Sequence, residues 1–242
     1  MQHNVQSMIG NPIRAVDGDL GNVYGFYFDN QTWTMRYLVV ETGNWLLGRR
    51  VLVSLAALCK PAGAPGTFSV DLSRDQVLSS PDIDLEKPVS RQHEVALLAH
   101  YGWPSYWTAA VEDAGDAMQR LFLQNPALSK FVIPRQKDNP LLRSTRQVTG
   151  YHVPTADNEI GHVEDFIVDI ENWALRFLVV NTGDWLPGRK VLIPPTWIEQ
   201  VNWAEKTVHL HRSYEPSDIV PDFERRKSSV DFPQEIDSAS AQ

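Results

Sequence analysis

The chain has 242 residues, with 22 Lys plus Arg against 30 Asp plus Glu and a formal net charge of -8. Hydrophobic residues make up 43% and charged residues 21%, which excludes a disordered chain and suits one large or two small globular domains. The acidic balance argues against broad binding to a nucleic-acid backbone, and a single cysteine, Cys59, excludes an intrachain disulfide or a multi-cysteine zinc site.

Residues 1–12, MQHNVQSMIGNP, hold no apolar run of signal-peptide type. No stretch reaches the roughly 18 consecutive apolar residues of a membrane span. The expectation is a soluble, cytoplasmic protein. Asp17 to Gly21 reads as a turn, because Asp and Gly supply local side-chain bonding and positive φ. Val23 to Asp29 is aromatic and β-branched, as a strand requires. After Asn30-Gln31-Thr32 the chain returns as a second strand, Trp33 to Glu41. Both of its faces are apolar, which predicts a central strand covered on both sides. Asp29 and Arg36 flank the turn as a solvated charge pair.

Thr42 to Gly48 is a loop bounded by glycines, with Trp45 and Leu46 at its tip. Strands are predicted over Arg49–Leu55 and Phe68–Leu72, separated by the turn-forming Lys60–Gly66. Short strands divided by turns predict a small antiparallel barrel, whose closure removes exposed edges. Ser73 and Gln76 form a capping box for a short helix, and Ser90 starts another that runs to about Tyr101, where Gly102-Trp103-Pro104 stops it. Four large aromatics, Tyr101, Trp103, Tyr106 and Trp107, crowd this point; they serve either to pack the connector onto a barrel or to form a sticky patch. Val111 to Gln124 has helical apolar spacing, and residues 125–145 read as an irregular, proline-containing linker.

The chain then repeats itself. Trp33 to Leu52, WTMRYLVVETGNWLLGRRVL, returns 140 residues on as Trp173 to Leu192, WALRFLVVNTGDWLPGRKVL. The register holds without a gap from Gly10/Gly150, through Asp17/Asp157, Gly21/Gly161, Phe26/Phe166 and Arg36/Arg176. Strands follow over Val163–Ile170, Trp173–Asn181, Arg189–Ile193 and Thr207–Arg212, with Pro194-Pro195 ending pairing after the third. The polar residues 222–242 predict a disordered tail.

The pattern Gly-x-x-Asp-x-x-Gly-x-Val, then Trp-x-x-Arg, then T-G-x-W-L-x-G-R, resembles the PRC-barrel family. The segment SSPDIDLEKPVSRQHE followed by YGWPSYW resembles its subgroup with two such barrels in tandem. The expected fold is therefore mainly β: two small PRC-type antiparallel β-barrels related by internal duplication and joined by a short helical segment. The expected divisions are a first barrel at 1–90, a helical, aromatic-rich connector at 91–145, a second barrel at 146–221 and the tail. The resemblance implies a barrel found in the cytoplasmic domain of the photosynthetic reaction-centre H subunit and in a ribosome maturation factor, where it serves assembly. This chain lacks the membrane helix of the first and the different N-terminal barrel of the second, so no residue role transfers from either.

The residues themselves yield no phosphate loop, nucleophile elbow or dinucleotide fingerprint. His209 and His211 share a strand face at metal-capable spacing but lack a carboxylate or cysteine companion. His93 and His100 also lack partners, and Cys59 reads as a small buried hydrophobe. The remaining candidates form a partner-binding set: Trp45, Leu46 and Arg49 of the first loop, Trp185, Leu186 and Arg189 of the second, and Trp103 and Trp107 of the connector. Each loop tryptophan either plugs its own barrel or makes a matching contact, with the adjacent arginine available to a partner carboxylate. The functional expectation is a non-enzymatic protein-interaction or assembly module without cofactor. It has a protein partner, no nucleic acid, no membrane span and a homodimer as one option. The competing expectations are a small-ligand or metal sensor and an accessory of an electron-transfer complex.

Overall fold

The computed structural model describes residues 1–46, 48–59, 66–81, 89, 91–103, 142–154, 159–182 and 190–211. The helix expected at 111–124, the linker as far as residue 141, the tip of the second loop and the tail lie outside the described residues. The described chain is mainly β. In order it contains β1 (Gln2–Asn4), α1 (Val5–Met8), β2 (Pro12–Ala15), β3 (Gly18–Asp29), β4 (Thr34–Glu41), β5 (Arg50–Ser54), β6 (Phe68–Ser69), α2 (Arg74–Leu78) and α3 (Arg91–Tyr101). Then come β7 (Leu142–Ser144), α4 (Thr145–Val148), β8 (His152–Pro154), β9 (Glu159–Asp169), β10 (Ala174–Asn181), β11 (Lys190–Ile193), β12 (Ile198–Asn202) and β13 (Thr207–Leu210). The irregular linker thus ends before β7, and strands β1 and β2 stand where no strand was expected. Three or four residues are too few to show a period-2 pattern.

The chain divides into two compact units. One holds Val5–Val148 with Glu171–Leu175, the other Met1–Asn4, Thr149–Ile170 and Arg176–Gln242. In the first unit the strands lie in the order β6-β2-β3-β4-β5. The long strand β3 pairs along one side with β4, from Asn22↔Glu41 to Asp29↔Thr34. Its other side is shared, β2 taking Gly18 to Asn22 and β7 taking Tyr27 to Asp29. Register shifts at Val23/Gly25 and Tyr27/Phe28 mark bulges, which bend a strand and tighten its twist. Gly21 is required here: at φ 146° its missing Cβ would lie 2.0 Å from the Glu41 carbonyl oxygen. No side chain fits that approach.

The result is a curled open sheet rather than the closed antiparallel barrel the sequence suggested. β5 gives way to a 3-10 turn at Leu55–Ala57, and one isolated bridge, Leu58↔Val70, reaches back toward β6. β6 runs parallel to β2, Ile13 opposite Phe68. The reason is parity: with five strands alternating in direction, the fifth runs the same way as the first. The inner face is filled by Leu20, Phe26, Phe28, Leu38, Val40, Val51 and Val53, each no more than 2% exposed. Burying each such side chain stabilises the fold by about 2 kcal/mol. The outer face is covered too, as the sequence of β4 predicted: Tyr27, Tyr37, Val39 and Leu52 pack with Val89, Leu97 of α3 and Leu142 of β7.

The turn between β3 and β4 is built by Asp29, whose Oδ1 accepts from the Gln31 and Thr32 amides at 2.8 and 3.2 Å. Asp29 is buried, so it is no solvated partner of Arg36, whose Nη2 donates to Thr32 Oγ1 at 3.2 Å. Trp33 closes the turn with φ 51°, a conformation that costs a bulky residue roughly 1–2 kcal/mol. Stacking on Phe28 at 5.5 Å offsets that cost. The Trp173 segment belongs to this unit as well: Met35 N donates to Trp173 O and Leu175 N to Trp33 O, both at 2.8 Å. Trp173 packs at 6.2 Å from Phe26. Helix α2 carries the predicted capping box, with reciprocal Ser73 and Gln76 bonds.

The second unit repeats these pairings 140 residues on. Val153↔Gly161 answers Ile13↔Gly21, and Val179↔Leu192 answers Val39↔Leu52. Its order is β12-β13-β8-β9-β10 with β11 on β10, and β13 pairs parallel with β8. Gly161, at φ 149°, would place a Cβ 1.8 Å from the Asn181 carbonyl oxygen. The 3-10 turn Pro195–Trp197 falls where Leu55–Ala57 falls in the first unit, so the ladder breaks at the same point.

The first strands are exchanged. β1, which opens the first repeat, pairs with β9 as Gln2↔Asp169, His3↔Val168 and Asn4↔Ile167. β7, which opens the second, pairs with β3 as Leu142↔Asp29, Arg143↔Phe28 and Ser144↔Tyr27. The two ladders have identical register under the 140-residue shift. β1 is also held by the Met1 ammonium on Asp169 at 3.2 Å, where Arg176 Nη2 arrives at 2.9 Å. Burial, and secondarily the nearby ammonium, pushes the His3 imidazole below its ordinary value.

Candidate interaction surface

Around the covered outer face of the first unit, Tyr24, Tyr101 and Trp103 form a half-buried aromatic rim. Tyr24 stands on β3, and two guanidinium groups lie against its ring. Arg50, at the start of β5, is 3.7 Å from the ring centroid, and Arg146, on α4, is 4.3 Å away. Arginine stacks on an aromatic face while leaving its N–H edge free to bond. Arg50 is held by Glu41, whose Oε1 accepts from both Nε and Nη2 at 3.1 Å. The Arg146 stem needs the room left at Gly25, where a Cβ would come 3.2 Å from Cδ. Arg146 Nη1 donates weakly to the Tyr24 carbonyl at 3.5 Å.

The end of α3 supplies the other part of the rim. Gly102, at φ 70°, turns the chain, and Trp103 N donates to the Leu98 carbonyl at 3.0 Å. Trp103 then stacks on Tyr101 at 4.1 Å, and His100 meets Tyr101 edge-on at 4.6 Å. His100 Nε2 contacts the Gln76 carbonyl at 2.9 Å, tying α3 to α2. Burial raises the Tyr101 phenol above its ordinary value, partly opposed by the Ser80 hydroxyl and the Arg49 cation.

The sequence-derived candidates distribute as follows. Trp45 and Leu46 lie in the 3-10 turn Gly43–Leu46; Leu46 is half-buried, and the Trp45 side chain lies outside the described residues. Arg49 turns onto the chain after α2, its Nη1 donating to Leu78 O at 3.0 Å and its Nη2 to Ser80 O. Trp103 packs against the outer-face cluster, in keeping with the packing role considered for the connector aromatics. Trp107, Trp185, Leu186 and Arg189 lie outside the described residues. The sequence reasoning passed over Tyr24, Arg50 and Arg146. The usable signal was divergence between repeats at matched positions: Tyr24 corresponds to Glu164, Glu41 to Asn181 and Arg146 to Gln6.

Elsewhere, His209 Nε2 lies 3.0 Å from Thr207 Oγ1, and Cys59 is exposed rather than buried, at the chain turn after Leu58. Among the described residues there is no group of three or more His, Cys, Asp or Glu side chains arranged to hold a metal. Nor is any described helix long and apolar enough to cross a membrane.

At the positions matching the stack, the second unit carries an internal ion pair. Glu164 replaces the tyrosine, and Lys190 Nζ reaches Glu164 Oε1 at 2.5 Å while Asn181 Nδ2 donates to Oε2 at 3.1 Å. Its outer cluster is smaller: Ile167, Val179 and Leu192, with Phe177 against them.

Curled, mainly β sheets, each with its own outer cluster, define a class of small β module. The second of them is a PRC-barrel domain: the model of that domain matches residues 144–215, from the end of β7 past β13. The match takes in the second repeat, while the first is linked to it by the 140-residue correspondence of sequence and pairing. No curated protein matches the chain.

Proposed function

We propose that this chain is a non-enzymatic protein-interaction or assembly module, built from two PRC-type units that arose by internal duplication. The observation that carries the reading is the rim of Tyr24, Tyr101 and Trp103 with Arg50 and Arg146 laid on Tyr24. Tyrosine, tryptophan and arginine are the side chains that dominate binding energy at protein interfaces. They combine large contact area with few rotors and, for arginine, directional bonds. The PRC-barrel match at residues 144–215 agrees with such a role. The partner is a protein rather than a nucleic acid, in keeping with the net charge of -8.

The test is quantitative capture from the native cell with tagged wild type and with the Tyr24→Ala/Arg50→Ala double variant. A protein enriched at least tenfold by the wild type and lost with a variant that melts normally is the expected result. An unchanged set of captured proteins, or stoichiometric metal in the purified chain, would overturn the reading.

A further inference from the structure

We propose that the Arg50–Tyr24–Arg146 stack is a docking site for a carboxylate-bearing segment of a partner protein. The proposal rests on the interaction reading above and names the chemistry of its partner. Two cations meet on one ring, and among the described residues one carboxylate, Glu41, answers them. Two positive charges less one negative leave a net single positive charge. Glu41 engages Arg50 alone, and Arg146 is exposed and has no ion pair among the described residues. Its guanidinium plane is nevertheless oriented, because the ring supports one face and the Gly25 gap guides the stem. An oriented guanidinium offers a carboxylate two parallel N–H donors, about twice as strong as a neutral hydrogen bond.

The second repeat indicates what such a site takes. There a carboxylate, Glu164, occupies the position of Tyr24, and the cation Lys190 and amide Asn181 both converge on it. That unit satisfies its cation internally. In the first unit a ring stands at the acid's position, Glu41 holds Arg50, and a second cation, Arg146, is present, so a carboxylate for that second cation must come from outside. One uncompensated charge suits a short acidic segment. It does not suit a nucleic-acid backbone, which needs a run of cations and meets a chain of net charge -8.

The experiment titrates the full chain, with labelled arginine side chains, against a capped triglutamate peptide, inorganic phosphate and an oligothymidylate. The expected result is saturable shifts of the Arg146 and Arg50 Nε–H resonances with the peptide. Affinity should fall about tenfold in Arg146→Gln and rise several-fold in Glu41→Gln, which removes the internal competitor. Melting curves check that both variants fold, and Glu41→Gln alone decides if Arg146→Gln does not. The proposal is overturned if the peptide moves neither arginine, if neither variant changes affinity, or if phosphate or the oligonucleotide binds more tightly. Should cellular capture through this surface persist while the peptide arms fail, the interaction reading stands and the carboxylate site falls; should both fail, both fall.

Discussion

The two repeats keep the same backbone demands and differ in what they place outside it. Gly21 and Gly161 meet the same carbonyl across β3/β4 and β9/β10, Trp33 and Trp173 hold the same positive φ, and the ladders break at the same 3-10 turn. On the outer face, the first unit carries Tyr27, Tyr37 and the packed helix α3, with a tyrosine–arginine stack at its edge. The second carries Ile167, Val179 and Leu192 at its outer cluster and a Glu164–Lys190 pair. Constraints that a curled sheet imposes on its backbone are shared; side chains that only cover or face outward are free to differ.

The largest effect should come from the shared part. Gly21→Ala and Gly161→Ala each force a Cβ into a carbonyl at 2.0 and 1.8 Å, at a φ that alanine resists. Each should cost roughly 4 kcal/mol or more, measured by chemical denaturation. A loss in one repeat and tolerance in the other would break the equivalence. Next comes the part that differs. Leu97→Ala removes a fully buried α3 side chain from the outer cluster of the first unit. It should cost about 3 kcal/mol and alter tryptophan emission from Trp103, leaving amide exchange in β8 and β9 unchanged.

The smallest effect concerns the exchanged strand. Burial lowers the His3 pKa from 6.5, so the neutral ring is favoured in the fold. As pH falls below 6.5, the unfolded strand takes up a proton first, and stability is lost down through the lowered folded value. Amide exchange at residues 2–4 should therefore quicken between pH 7.5 and 5 relative to the rest of the sheet. His3→Gln should remove that differential; a differential that persists in the variant would assign it to another group.

The long strands were legible in the sequence because apolar residues on both faces and matched glycines survive any local reading. So were the Ser73/Gln76 cap, the stop at Gly102 and the interruption at Pro194-Pro195. Strands β1 and β7 were not, since Gln2–Asn4 and Leu142–Ser144 are held by where their partners lie rather than by their own propensity. Closure of the sheet was over-read: turn spacing predicts short strands but not whether the last ladder completes. At the surface, Trp45 and Arg49 drew attention because their motif recurs. The Tyr24 stack was hidden because it combines residues 24, 50 and 146, none of which is identical at the matched position of the other repeat. Matched positions mark what both curled sheets need; unmatched ones mark what one unit alone carries.

The exchange of first strands makes the sharpest demand on this account. Residues 1–4 complete the sheet of the second unit, while residues 142–148 and 171–175 complete the first, so each unit draws on both halves of the chain. The direct measurement is to co-express residues 1–124 and 125–242 as separate polypeptides with an affinity tag on one. The account predicts that the untagged half co-purifies at one-to-one stoichiometry and that the pair melts as the intact chain does. Two halves that purify apart, each folded and cooperative on its own, would contradict it.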